Sequence, residues 1–430
     1  MHPSLASGVR PREVWAWAMY DFANSGYTTV VVTAVYNAYF VAEVAGNAAW
    51  ATLAWTLALA VSNLLVILTA PALGAYADAR AAKKRLLAVT TAGCVLFTAT
   101  LSLTGRGDVG LAFALVALSS FFFGSGENLI AAFLPELGRE DGLGRISGWG
   151  WSLGYVGGLV SLGASLAYVI AAQAHGASAS EFVPGAMLIT AAIFTVASLP
   201  TFLFLRERAV PAASERGMAA TAVSRLRDTL RHARRYRDFG RFLVCLVFYQ
   251  AGIQAVVALA AIYAQQAMGF TTRDTLLLVL VVNVTAAVGA FLFGQVQDRL
   301  GHVRTITVTL LGWLLTVGLA WAAEGAALFW AAANLAGLCL GSSQSAGRAL
   351  VGYLSPPERS GEFFGLWGLA VKLSSILGPV TYGAVTWLTA GDHRTAILIT
   401  GLYFVAGLAL IAGIDSARGR AAALAAPRVH

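Results

Sequence analysis

The sequence predicts an all-α membrane protein, with twelve transmembrane helices arranged as two six-helix, pseudo-symmetric bundles. Three observations lead there: a succession of apolar runs long enough to cross a bilayer, an alternation of basic residues between successive loops, and short motifs that recur about 220 residues apart.

Composition sets the frame. Of 430 residues, 58% are hydrophobic and 12% charged, and the mean hydropathy is +0.71. A soluble domain is about 45–50% apolar and about 25% charged, so this chain has too few charges to cover a water-facing surface. The net charge of +8 would suggest nucleic-acid binding in a soluble protein. Here the basic residues lie between apolar runs and describe topology instead, so no nucleic-acid partner is expected. Cys94, Cys245 and Cys339 each lie inside an apolar run and read as small buried hydrophobes rather than a disulfide framework. There is no zinc-ligand spacing, Walker A, GxSxG, HExxH or CxxC pattern. The expectation is a protein that is not an enzyme, with no cofactor and no metal.

The apolar runs fall in order. The first, 14–41, exceeds the 7–15 residues of a signal-peptide core and lacks an A-x-A-like site after it, so it reads as a spanning helix. Runs follow at 50–74, 86–104, 109–134, 146–173 and 183–205. After a polar stretch come 240–266, 273–296, 303–323, 326–350, 362–389 and 394–415. The runs are continuous rather than alternating, which excludes a barrel. Arg10, Arg12, the Arg80–Arg85 cluster, Arg139, Arg145, ten arginines from Arg206 to Arg241, Arg299, Arg304, Arg359 and the C-terminal arginines all fall on the N-tail side. Only Arg106, Arg273 and Arg394 fall on the other. That asymmetry puts both termini in the cytoplasm and supports the helix count, because one missed span would scramble it.

The domain reading follows: an N-tail over 1–13, a six-helix bundle over 14–205, a basic linker over 206–239, a second bundle over 240–415 and a C-tail over 416–430. In the linker, Val223, Leu226, Leu230 and Ala233 follow a 3-4-3 spacing among arginines. That fits a basic amphipathic helix on the inner leaflet, with a solvated linker helix as the other reading.

The halves repeat. GAYADARAAKKR at 74–85 is echoed by GQVQDRLGHVR at 294–304, GSGEN at 124–128 by GSSQS at 341–345, and LPE at 134–136 by PPE at 356–358. Internal repeats are a signature of transporters, whose solute site lies between them near the midplane.

On these residues the chain resembles the major facilitator superfamily. That family carries G-x-x-x-D-[RK]-x-G-[RK]-[RK] after its second helix. Gly74, Asp78, Lys83 and Lys84 match it in the first half, and Gly294, Asp298, Arg299, Gly301 and Arg304 in the second. Glycine permits close helix approach, and the aspartate can meet a cation or a helix N-terminus, so the motif reads as a cytoplasmic gate. WAMYDFANSGY at 17–27, RFLVCLVFYQAGIQ at 241–254 and PPERSGEFFGLWGLAVKLSSILGP at 356–379 resemble the autophagy-related vacuolar amino-acid effluxer branch and its bacterial relatives. The chain departs from that branch in the seventh run, where Tyr249, Gln250, Ala251 and Gly252 replace the usual Tyr-Asn-Asp-Gly. The resemblance implies amino-acid export, and the duplicated bundle offers rocker-switch alternating access as its simplest mechanism, for secondary active or facilitative transport.

Charges inside spans cost about 2.5–3.5 kcal/mol even on lenient scales, so each is a site candidate. Asp21 and Glu127 lie in the first half, Arg348 and Lys372 in the second. The reading is that an acid of one half pairs with a base of the other across the cavity, and that solute amino and carboxylate groups compete for them. Pairing within each half is the alternative. Asn24, Asn128, Tyr249, Gln250, Gln254 and Gln344 are the neutral polar groups that could complete the site. Trp149 and Trp151 read as interfacial anchors. His2, His175, His232, His302, His393 and His430 fall in loops or tails, leaving Asp21 and Glu127 as proton-coupling candidates.

The expected partners are a small-molecule solute and the lipid bilayer, with protons as the candidate coupling ion, for a monomer in a bacterial inner membrane. The alternatives are a proton-coupled drug or metabolite antiporter, and a transporter-like sensor or scaffold. The first usually has an arginine in its fourth helix and Gly-Pro in its fifth; here Gly157 and Gly158 precede Leu159.

Overall fold

A computed structural model describes residues 4–209 and 236–425. The amphipathic-helix reading of the linker falls almost entirely on 210–235 and lies outside the described residues. Among the described residues there is no sheet, and the one isolated bridge pairs Leu5 with Gly138.

The first crossing begins with α1 (Pro11–Tyr27), where proline occupies the first turn and Glu13 reaches back to the Arg10 amide. It continues as π-helix over Thr28–Ala34, a short α-helical turn at Tyr36–Tyr39 and a second π-helical stretch over Phe40–Val44. The first π-helical stretch holds the β-branched run Thr28 to Thr33. Among the described residues eleven other helices are by themselves long and apolar enough to span, and the interrupted first crossing makes the twelfth.

The first bundle continues with α2 (Ala51–Arg80), α3 (Lys83–Thr100), α4 (Val109–Ala131), α5 (Leu143–Ala174) and α6 (Ala179–Phe204). The second comprises α7 (Arg237–Gln266), α8 (Thr272–Leu300), α9 (His302–Ala322), α10 (Ala326–Leu354), α11 (Ser360–Leu388) and α12 (His393–Ile411). A short α13 (Ser416–Leu424) follows. Each bundle has its own aromatic core, around Trp17, Tyr27 and Phe40 in the first and Phe242, Trp313 and Phe404 in the second. The outward faces are apolar: Leu68, Val196, Val380 and Trp387 are all exposed. An apolar exterior around a core with polar groups is the pattern a hydrocarbon solvent imposes.

The bundles meet along two seams, α2 against α11 and α5 against α8. Both seams are tightest at the end that carries the chain termini. There α13 joins the bundles: Arg418 grips Asp238 of α7, and Arg420 reaches Glu140 of the first half. One loop expectation is corrected. His302 is buried at the start of α9, with its ring hydrogen-bonded to Gln297, because α8 and α9 are joined through Gly301 alone.

Candidate functional site

At the termini end the two repeated motifs make equivalent contacts. On the first seam, a Cβ on Gly74 would collide with the Gly361 carbonyl, so only glycine allows α2 and α11 this approach. One turn on, Asp78 accepts from the Gly361 and Glu362 amides, both at 2.9 Å. These are N–H groups of the first turn of α11, which have no partner within their own helix and carry the positive end of its dipole. Lys83, fully buried, donates to Glu136 at 2.6 Å and to Ser360 Oγ at 2.7 Å and lies 3.6 Å from Asp78. On the second seam Gly294 packs on Gly144 and Gly148, and Asp298 accepts from the Gly144 and Arg145 amides at 3.0 and 3.2 Å. Each aspartate therefore caps a helix of the opposite bundle.

Three residues of these motifs are placed elsewhere. Lys84 donates to the Leu205 carbonyl at 2.6 Å, tying α3 to the segment after α6 within its own half. Arg299 and Arg304 are exposed and outside the seam. Arg299 follows Asp298 by one residue, a turn of about 100° that carries it from contact to solvent.

Beyond the seams a cavity of about 460 Å³ lies between the bundles and extends toward the far end as far as Thr33, Leu278, Phe329 and Ile397. Asp21, Asn24, Glu127, Gln250, Gln254, Gln344, Arg348 and Lys372 line it. Arg348 Nη1 donates to Asp21 Oδ2 at 2.7 Å, Nε to Ser147 Oγ at 3.1 Å and Nη2 to the Ser147 carbonyl at 2.9 Å. Its guanidinium lies 4.6 Å from the Trp17 ring centroid and 5.3 Å from that of Trp151. Trp17 is itself fixed by donating to the Ile130 carbonyl at 2.8 Å. Gly150 makes the pair possible, since a Cβ there would fall on Asp21 and 2.6 Å from Arg348 Nη2. Nearby, Lys372 Nζ lies 3.5 Å from Glu127 Oε2 and 5.8 Å from the Phe123 ring centroid. Gln250 donates to Gln344 at 2.9 Å and Gln254 to Ser375 at 3.0 Å.

Two of the neutral candidates do not reach this cavity. Tyr249 is buried within its own bundle, against Gly347 and Gly407. Asn128 packs on Gly368 in the α4–α11 contact. Each lies one residue from a cavity residue, Gln250 and Glu127 respectively, and so about 100° around its helix. Trp151 corrects the interfacial reading: it lines the cavity, its ring tilted against Tyr155 with centroids 6.0 Å apart.

Sequence reasoning missed Ser147, Trp17, Glu136, Ser360 and Gly361. A signal for two of them existed. The SGEFFG opening of α11 occupies the place in the second repeat that LGRISG, opening α5, holds in the first.

Two six-helix bundles joined by symmetric seams at one end, with a charged cavity between them, define a transporter of the major facilitator type. Solved structures share the fold: the human organic anion transporter MFSD10 (TETRAN) aligns with a TM-score of 0.73 and 17% identity, covering 94% of this chain and 100% of that one. The transporter FucP in its outward conformation aligns at 0.70 and 15%, covering 94% and 98%. Residues 141–424 match the family described as "Vacuole effluxer Atg22 like", and the chain belongs to that family. It is 27% identical over 402 residues to the uncharacterized MFS-type transporter YxiO of Bacillus subtilis, covering 92% of this chain and 93% of that protein. To autophagy-related protein 22-1 of Penicillium rubens it is 25% identical over 304 residues, which cover 65% of this chain and 50% of the fungal protein.

Proposed function

We propose that this chain exports a small zwitterion, an amino acid or close analogue, by rocking its two bundles about the central cavity. The observation that carries this is the pair of acid–base contacts across the cavity, Asp21 with Arg348 and Glu127 with Lys372, each acid on the first bundle and each base on the second. An ammonium and a carboxylate on one solute compete for both partners of such a pair, which couples binding to separation of the bundles. A cavity of about 460 Å³ falls in the range of about 300–1,000 Å³ typical of small-molecule sites. Export is favoured by the effluxer description of the family. The distribution of basic residues supports cytoplasmic termini in a bacterial inner membrane. The sealed seams then face the cytoplasm. The transporter acts as a monomer, and Glu127, the more open of the two acids, is the proton-coupling candidate.

A second reading, a proton-coupled antiporter for amphiphilic drugs or metabolites, is favoured by the apolar wall that Ile253, Val256, Val317 and Phe329 give the far part of the cavity. Counterflow in proteoliposomes, loaded with pooled amino acids or pooled amphiphiles and run with and without a pH gradient, separates the two. Exchange of amino acids lost in Asp21→Asn supports the first reading. Exchange of amphiphiles alone overturns it.

A further inference from the structure

The two ion pairs that line the cavity are of unlike build. Arg348 commits its guanidinium to three hydrogen bonds of 2.7, 3.1 and 2.9 Å and lies against two indole rings, with its side chain 4% exposed. Lys372 Nζ carries three N–H donors and, among the described residues, has one hydrogen-bond partner, Glu127 Oε2 at 3.5 Å. The Glu127 side chain is 25% exposed and that of Lys372 14%. Opening the first pair strands two buried charges, whereas opening the second releases two that already meet the cavity.

The members of the second pair are also free to part. A lysine ammonium is a point charge on a flexible four-carbon stem, unlike a planar guanidinium held between rings. The end of Lys372 passes Gly124 of α4, where a Cβ would stand 3.3 Å from Cε and 3.5 Å from Nζ, so the glycine leaves it space. Phe123, half-buried on the cavity wall, has its ring centroid 5.8 Å from Lys372 Nζ. Its ring is fixed by stacking on Tyr27, with centroids 4.9 Å apart, and the Tyr27 hydroxyl is bonded to Ser119 and Ser120. Phe123 and Glu127 are four residues apart on α4 and share a helix face. The Glu127 carboxylate and the Phe123 face thus form a seat for an ammonium, filled here by the protein's own Lys372. A carboxylate on a solute can draw Lys372 away, and an ammonium on the same solute can take the seat.

We infer that the headgroup of an α-amino acid binds by opening the Glu127–Lys372 pair: the solute carboxylate takes the Lys372 ammonium, and the solute ammonium takes the Glu127 carboxylate and the Phe123 ring face. Asp21 and Arg348 stay paired and tie the bundles without reading the solute. Every charge keeps an opposite partner, so none is left alone in the cavity. The inference rests on the zwitterion reading proposed above and assigns its headgroup to one of the two pairs. Glu127 cannot hold a proton and an ammonium together, so it serves the coupling role proposed for it by taking proton and solute in turn. The other ionisable residues of the cavity wall are Asp21, Arg348, Lys372, Tyr155, Tyr263 and Tyr382.

The test uses the purified full chain, with ligand-dependent stabilisation against heat as the measure of binding. L-leucine is titrated beside two analogues: 4-methylpentanoate, which keeps the carboxylate and lacks the ammonium, and 3-methylbutylamine, which does the reverse. Lys372→Met is expected to weaken L-leucine and 4-methylpentanoate about tenfold, as for loss of a charge-assisted hydrogen bond, and to leave 3-methylbutylamine no weaker. Glu127→Gln is expected to weaken L-leucine and 3-methylbutylamine to a similar degree and to leave 4-methylpentanoate no weaker. Phe123→Leu is expected to weaken the same two ligands about threefold, the size of a cation–π contact, and Phe123→Tyr to restore them. The double variant Asp21→Asn with Arg348→Gln is expected to bind all three as wild type does. Loss of binding in that double variant, with Lys372→Met binding as wild type, overturns the subsite and moves the headgroup to the other pair while leaving amino-acid transport intact. Equal weakening of all three ligands in Lys372→Met identifies a packing role and also overturns it. A wild-type chain stabilised by amphiphiles and by no L-amino acid overturns the zwitterion reading and the subsite with it.

Discussion

Arg348 of α10 is held by Asp21 of α1 at 2.7 Å, with the guanidinium between the Trp17 and Trp151 rings, so one side chain of the second bundle is enclosed by the first. Removing one partner of a buried pair strands the other charge, at a cost of about 3–5 kcal/mol. Asp21→Asn is therefore expected to lower the melting temperature sharply. The double variant Asp21→Asn with Arg348→Gln should melt above that single variant, because no charge is then stranded. Thermal unfolding in detergent reads this directly, and equal melting of single and double variants would show that the pair does not carry the contact.

Glu127 and Lys372 are separated by 3.5 Å, with side chains 25% and 14% exposed to the cavity. A partly solvated pair is worth about 0.2–1 kcal/mol. Glu127→Gln is expected to melt close to wild type, in contrast to Asp21→Asn. Its effect should appear in exchange instead: a pH gradient that accelerates wild-type counterflow is expected to leave the variant's rate unchanged. A variant as gradient-sensitive as wild type would remove Glu127 from the coupling step.

The Gly74–Gly361 contact admits no side chain. Gly74→Val is expected to push α2 from α11 and open the termini end. Spin labels at Arg85 and Arg299, both exposed and on opposite bundles, should report a longer interlabel distance by pulsed dipolar spectroscopy. An unchanged distance distribution would mean that the seam can absorb the extra volume.

Asp78 and Asp298 cap helices of the opposite bundle, but their surroundings differ. Beside Asp78 lies the fully buried Lys83, whereas the cation beside Asp298 is Arg145 at 3.8 Å, about a quarter exposed. In each variant asparagine keeps one accepting oxygen and replaces the other by a donor, so one of the two amide bonds to the capped helix is lost, about 1 kcal/mol. Asp78→Asn also removes one of the acids around a buried ammonium, so it is expected to destabilise the chain more than Asp298→Asn. Side-by-side denaturation of the two variants decides it.

Much of this architecture was legible in the chain. Hydropathy located the crossings because hydrocarbon solvent acts on every residue of a span alike. The repeat at 74–85 and 294–304 marked Asp78 and Asp298 before their partners were known, since duplicated bundles place equivalent residues at equivalent seams. Asp21, Glu127, Arg348 and Lys372 stood out for a similarly local reason: a charge within an apolar run is costly wherever it points.

What a side chain points at was decided only by the tertiary structure. Tyr249 and Gln250, or Glu127 and Asn128, are neighbours in sequence and equal in polarity pattern, yet a turn of about 100° sends one to the cavity and the other into a helix contact. Trp151 reads as an interfacial anchor until α5 packs on α1 through Gly150 and Gly154 and turns the indole inward. The choice of Arg348 for Asp21 and of Lys372 for Glu127 depends on how two bundles, hundreds of residues apart in the chain, are set against each other. Composition and spacing are properties of one helix at a time, whereas a partner is a property of two.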